Sequence, residues 1–386
     1  MRILFLQKVD NARGGIANVN TKLIEYFLSL NYHVDVVSIR HGDTWEEVNY
    51  PDGANNYLIN DKDVWGCPRL REIAINLKKA HLYLAMQLFF ERIAYKKKIK
   101  QDYLICQKRI EEINPDVIIN SHYEILDGIS ERFLKRTIMH FHTSFDQVLT
   151  NSSYLKIFKK YASKIYGFVW LSKQTCQEAI SNGFVNSRCI YNPLMFSEER
   201  CADIKNKKIL FIGRMAEEKR VHLAIEYFSE VVKNKNLSDW IFEIYGDGEL
   251  SEQIKLKTQD EPQILYKGRT NKVNEKLLEG SLMILTSSFE GMPLVVLEAN
   301  ECGVPVIAYD FGESSQEVIL NKKTGIIVKQ NDKETFMKEL EELLEDESYR
   351  RELSVQAKQF AKKFAVENIG NDWLDLFEEM KNSFTT

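Results

Sequence analysis

Residues 281–310 read SLMILTSSFEGMPLVVLEANECGVPVIAYD. Two apolar runs of strand length, LMILTS at 282–287 and VPVIAYD at 304–310, flank a helical pattern over 293–302. Strands joined through a helix make a βαβ unit, which calls for a parallel sheet with helices on its faces. The same stretch carries an oddity: Glu290 stands at its mouth and Glu298 in its middle, among Val295, Val296, Leu297 and Ala299. Such a carboxylate must be solvated, paired or bound to a ligand, because burying it alone is costly.

The alternation continues in both directions. Strand-like runs at KKILFIG (207–213), WIFEIYG, QILYKG and TGIIVK alternate with helical patterns at 221–235, 273–280 and 333–345. Upstream, Ile3 to Leu6 lead into the polar loop KVDNARGGIANV, a helical pattern through Leu23, Phe27 and Leu30, and a second strand, VDVVSI. Further strands are expected at DVIINS, TIMHFH and GFVWLS, with one or two long helices over 70–112. Between the two series, YNPLMFSEERCADIKNKK breaks the pattern with Pro193 and a charged run. The expectation is an α/β chain with two doubly wound, Rossmann-like domains facing a central cleft. Residues 1–195 form the first, 196–370 the second, and 371–386 an amphipathic C-terminal helix whose candidate partner is the N-terminal domain. Ligands of such sheets bind beyond the carboxyl ends of the strands, so the cleft is the expected site.

Composition narrows the class. With 44% apolar and 28% charged residues over 386 positions, the chain reads as a globular protein of two or three domains. No run approaches the ~20 apolar residues of a membrane span, and the apolar run in MRILFLQKVD lacks the length expected of a secretory h-region. A cytoplasmic location is expected. The net charge of −4 divides unevenly: through Met195 there are 26 Lys+Arg against 20 Asp+Glu, and the remainder has 26 against 36. A basic half suits an anionic partner, but no basic-aromatic motif points to nucleic acid. The six scattered cysteines show no metal spacing and are expected to be reduced and mostly packed in cores.

Chemistry concentrates at the strand ends. FIGRMAEEKR sets Gly213 at the end of a strand, Arg214 beside it and Lys219 five residues on, where a helix begins. A guanidinium fork and a movable ammonium at one strand terminus suit a diphosphate. After TSSFEG, Pro293 is expected in a first helical turn, leaving the amides of Gly291, Met292 and Leu294 free for an anion. Glu290 is better placed to accept hydrogen bonds from neutral hydroxyls, and Glu298 to accept both hydroxyls of a ribose.

The ordered series FIGRMAEEK, YGDG, FEGMPLVVLEANECGVPVIA with its E-x7-E pair, DFGESSQEVI and TGIIV resembles glycosyltransferase family 4 over most of residues 207–330. The N-terminal half is similar in outline, through the Gly14-Gly15 loop, FHTS with His142, and IYNPLMF as a linker. The resemblance implies retaining transfer from a nucleotide sugar, UDP-linked on family frequency, within the GT-B architecture, with bacterial surface polysaccharide or teichoic acid on a lipid carrier as the acceptor. It implies that Arg214 and Lys219 hold the diphosphate, Glu298 the ribose, and Glu290 a hydroxyl of the transferred sugar. His142 would contact that sugar from the opposite domain, and Gly15 would let the backbone approach the phosphate. Gly213, Gly246 and Arg269 fall in donor-side motifs, with Tyr266 to Arg269 near the base. Met292 departs from the family's usual residue and is expected to reshape the sugar pocket. Retention is carried from the family, whose attack is front-face, with the departing phosphate taking the acceptor's proton.

No cofactor is expected, and no metal: Asp61-Lys62-Asp63 is remote in sequence from the donor motifs, and Arg214 and Lys219 can replace a divalent cation. The stretch LKKAHLYLAMQLFFERIAYKKKIK places Leu82, Ala85, Met86 and Phe89 at core spacing between Lys78, Lys79 and Lys96, Lys97, Lys98, Lys100. It reads as a core helix with solvated ends or as an interfacial helix against anionic lipid. Rival readings are a non-catalytic nucleotide-sugar-binding subunit and a sugar-nucleotide epimerase. A dinucleotide oxidoreductase is disfavoured because Ser251 stands where YGDGELS would need a third glycine.

Overall fold

The computed structural model describes residues 1–10, 14–41, 50–60, 74–77, 81–150 and 152–384. Cys67, Lys78, Lys79 and the Asp61-Lys62-Asp63 triplet lie outside them. Two parallel sheets organise the chain. The first holds β1 (Arg2–Asp10), β2 (His33–His41), β3 (Asn55–Asn60), β4 (Val117–Asn120), β5 (Thr137–His140), β6 (Gly167–Trp170) and β7 (Ser187–Cys189), in the order β3-β2-β1-β4-β5-β6-β7. The second holds β8 (Lys208–Ile212), β9 (Ile241–Tyr245), β10 (Ile264–Gly268), β11 (Leu282–Leu285), β12 (Val306–Tyr309) and β13 (Gly325–Val328), in the order β10-β9-β8-β11-β12-β13. Central strands such as β4, β6 and β11 are buried along their whole length, as strands covered by helices on both faces must be.

Each sheet reverses its strand order once, between β1 and β4 in the first and between β8 and β11 in the second. Loops leaving the two strands of such a switch point diverge to opposite faces and open a crevice at their carboxyl ends. The two crevices face each other, and contacts cross between them. A Cβ on Gly291 would lie 2.6 Å from the His142 carbonyl oxygen, and one on Gly15 3.7 Å from Leu294 Cδ1.

The linker after β7 is tied down on the second domain by hydrogen bonds that the Leu194 amide donates to Phe364 O and the Ala202 amide to Cys302 O. The helix Val366–Asn382 then returns to the first domain. Tyr26 donates to Asn371 at 3.0 Å, the Phe377 ring lies 5.5 Å from Phe27, and Trp373 packs edge-on to His140 at 5.1 Å. Gly370 permits this crossing, since a Cβ there would sit 2.0 Å from Tyr26 Cε1.

Several expectations need correction. The edge strands β3 and β7 lacked a readable signal, being half exposed (NNYLIN) or three residues long (SRC). Within the long helix Leu82–Ile113 the core-spacing reading fails: Ala85 is buried, but Leu82, Met86 and Phe89 are exposed. Among the described cysteines, Cys106, Cys176 and Cys302 are buried free thiols, whereas Cys201 is exposed.

Candidate active site

The cleft between the domains has a lobe of about 690 Å³ lined by strand-end residues of both sheets, among them Gly15, His122, His142, Arg214, Lys219 and Glu290. They come from the carboxyl ends of five strands. Gly15 follows β1, His122 follows β4, His142 follows β5, Arg214 and Lys219 follow β8, and Glu290 follows β11.

Lys219 and Glu290, 71 residues apart, meet across the second switch point. Lys219 Nζ donates to Glu290 Oε1 at 2.5 Å, with both side chains largely buried. Ser287 Oγ donates to the same oxygen at 2.6 Å. This occupies Oε1, while the lysine's three N–H donors leave room for a further partner. Arg220, the next residue, is structural. Held at φ 46°, it donates to Thr286 O at 2.8 Å and to Asn331 at 3.0 Å, pinning the two loops together. Arg214 is mostly exposed at the lobe's edge and pairs with Glu218.

Glu298 lies one turn into the helix Leu294–Glu301, and no hydrogen bond reaches its carboxylate among the described residues. Burial pushes its carboxyl up from 4.5 to about 7. The two glutamates of the opening stretch therefore differ: Glu290 is paired and Glu298 is not. Pro293 is the cap of that helix, not part of its first turn. Its extended backbone still leaves the amides of Gly291, Met292 and Leu294 without a hydrogen bond among the described residues. The Met292 side chain turns away from the lobe and is buried against the linker, where its sulfur accepts from the Asn192 amide at 3.3 Å.

A second helix start faces the lobe from the other domain. The helix Gly15–Ser29 begins at Gly15, and Gly14 to Ala17 line the cavity with first-turn amides. Two positive helix ends and two cations thus address one space, an arrangement for an anion.

The imidazoles nearby are neutral. Burial, then the neighbouring His140 and His122, hold His142 well below its usual range, and its buried Nε2 has no partner among the described residues. His140 packs against it, tilted by 50° with 4.0 Å between centroids, and burial lowers His140 to about 3. Burial likewise lowers His122 to about 4, a lining residue that the sequence reading passed over although it directly follows the DVIINS strand.

Gly213, Gly246 and Arg269 sit at neighbouring strand ends but outside the lining of this lobe. Gly246 packs on Gly213, where a Cβ would lie 1.7 Å from the Gly213 oxygen, and its φ of 138° is itself a glycine conformation. Arg269 pairs with Asp247 at 3.0 Å.

The cleft continues past Gln147 and Phe289, common to both parts, into a second lobe of about 700 Å³. Asp146, Glu178, Asp310, Glu313 and Glu317 line it, so this end is acidic. Glu317 also ties the domains together. It accepts from the Lys173 amide at 2.6 Å, at the start of the helix Lys173–Ser181, and from the Tyr191 hydroxyl. Among the described residues no three His, Cys, Asp or Glu side chains gather as a metal centre would require.

Known proteins resemble this chain in sequence and in shape. It is 30% identical over 200 residues to a Campylobacter jejuni α-1,4-N-acetyl-D-galactosaminyltransferase named for an undecaprenol-linked glycan, covering 51% of this chain and 55% of that protein. It is 24% identical over 297 residues to the Staphylococcus aureus poly(ribitol-phosphate) α-N-acetylglucosaminyltransferase, covering 73% and 60%. The matched stretches thus span little more than half of these relatives' lengths. A crystal structure of an S. aureus TarM variant with fondaparinux, α-GlcNAc-glycerol and UDP superposes with a TM-score of 0.72 at 16% identity, over 98% of this chain and 100% of that one. Residues 197–360, which hold the second sheet, match the family model described as "Glycosyl transferases group 1", and the two facing domains have the GT-B fold of the glycosyltransferase structures they superpose on.

Proposed function

We propose that this protein is a retaining, metal-independent glycosyltransferase that moves a hexose or N-acetylhexosamine from a UDP-sugar to a hydroxyl of a lipid-linked glycan. One observation carries the reading: Lys219, Glu290 and two open helix starts converge at the paired switch points, with Glu298 left unpaired one turn away. The relatives' printed names, which include a transferase on an undecaprenol carrier, and the UDP bound in the superposed structure support the donor and acceptor classes.

In this reading the diphosphate lies against the amides of Gly15, Gly291, Met292 and Leu294. Lys219 reaches it with a free N–H while keeping Glu290, and Arg214 closes from the rim. These groups stabilise the charge that grows on the leaving diphosphate, each contributing about 3 kcal/mol. Glu298 accepts the ribose hydroxyls. Glu290, with Oε1 already engaged by Lys219 and Ser287, offers Oε2 to a hydroxyl of the transferred sugar, so it positions the ring and does not attack it. His142 Nε2 faces the same sugar from the other domain. The anomeric C–O bond breaks, the acceptor oxygen bonds to that carbon on the same face, and the acceptor's proton passes to the departing phosphate. The lysine and arginine charges do here what a divalent cation does at other diphosphate sites.

The test is to incubate the protein with UDP-, GDP- and ADP-sugars and a bacterial lipid extract, with and without EDTA, and to measure nucleotide release. Release from a UDP-sugar that rises with the extract and survives EDTA is expected, together with an α-linked product from an α-donor. Binding without release would move the reading to a non-catalytic subunit. Activity that returns only with Mg2+ or Mn2+ would overturn metal independence.

A further inference from the structure

The long helix Leu82–Ile113 projects beyond the fold. It runs antiparallel to the first sheet. Its end at Asn114 lies just before β4, which starts level with β1, since the Asp116 amide bonds to Arg2 O. Tyr103 and Gln107 bond to carbonyls of 124 and 127, past the carboxyl end of β4. Asn60, the last residue of β3, meets Asp102, and Arg40 near the end of β2 meets Tyr95. The helix therefore crosses the carboxyl edge of the sheet between residues 95 and 103. Residues 82–93 extend about 18 Å further, past the carboxyl end of the sheet.

This extension is apolar and uncovered. Leu82, Tyr83, Met86, Phe89, Phe90 and Ile93 are exposed, Tyr83 at 81% and Leu82 at 63%. At about 100° per residue they share one face, and Lys96, Lys97 and Lys100 continue that same face toward the sheet. These lysines have no ion pair among the described residues. Lys96 and Lys100 also line a groove of about 380 Å³ with Ile99, Tyr103 and Leu104.

We infer that residues 82–100 dock the protein on an anionic bilayer. The apolar end enters the acyl boundary, and the lysines meet the headgroups one to two turns behind it. The charge order along the face selects this occupant over a second copy of the chain. A parallel pair of these helices would set the lysines against one another, and an antiparallel pair would set them against the apolar ends. A bilayer offers apolar interior and negative surface in the matching sequence.

Flotation with vesicles tests this without any sugar donor or acceptor, so its failure is separable from failure of the transferase reading. The protein is expected to co-float with phosphatidylcholine vesicles containing phosphatidylglycerol and much less with phosphatidylcholine alone. Lys96→Gln with Lys97→Gln should weaken partitioning about 30-fold, and added salt should do likewise. Phe89→Asp with Phe90→Asp should abolish it while thermal unfolding stays unchanged, because both rings are already in solvent. Equal binding to both vesicle types, no binding, or binding that survives the Asp pair would overturn the proposal. So would a dimer by analytical ultracentrifugation that the Asp pair dissociates, which would assign the face to a second copy.

Discussion

At the scale of single residues, the two glutamates of the opening stretch make opposite predictions. Burial raises the Glu298 carboxyl to about 7, so from about 4.5 upward the folded chain keeps a proton that the unfolded chain has released. Stability from this group is therefore full below pH 4.5 and falls as pH rises through 7, by on the order of 3 kcal/mol. Glu298→Gln removes the loss, so its unfolding temperature relative to wild type should be higher at about pH 8 than at about pH 5. Because a diol is best received by the ionised carboxylate, UDP affinity should rise more steeply between about pH 6 and pH 8 in wild type than in the variant. Calorimetric titration across that range checks it. Lys219→Met deletes a cation and leaves the largely buried Glu290 held by Ser287 alone; turnover should drop about 100-fold or more, and the unfolding temperature should fall with it, because a buried charge loses its partner. The residue types were legible in the sequence, because Gly-Arg, Lys and the E-x7-E pair stand at strand ends. Their pairing was not. Nothing in the chain announces that Lys219 and Glu290 bond across 71 positions, or that Met292 serves the linker at Asn192.

At the scale of elements, strand-end loops are set by close backbone approach. Gly246→Ala must displace the Gly213 carbonyl and strain a φ of 138°, so it should destabilise the second domain by about 3 kcal/mol or more, read by denaturant unfolding. Gly291→Ala instead presses on the His142 carbonyl of the other domain. It should lower turnover far more than it lowers stability, because the domains can yield by opening. Central strands were readable as unbroken apolar runs, since both of their faces are buried. The edge strands β3 and β7 were not, because half-exposed edges carry polar residues and the third strand begins NNY. The apolar run from Leu82 resembled core spacing for a related reason: periodicity reports that a face is apolar, not that anything covers it.

At the scale of the whole molecule, one helix and one carboxylate span the two domains. The helix Val366–Asn382 closes on the first domain through Trp373 and Phe377. Phe377→Ala should cost about 3 kcal/mol and loosen the first domain before the second, visible as separated unfolding transitions. Glu317 reaches across to the start of Lys173–Ser181, a contact that no local pattern could reveal. Both links hold the two switch points face to face around the crevice that we propose receives a nucleotide sugar. Calorimetric titration of UDP into the wild type, Lys219→Met and Glu298→Gln tests that proposal most directly. Binding by the wild type with affinity at least about tenfold weaker in each variant is the predicted result. Undetectable UDP binding, or equal affinity in all three, would contradict it.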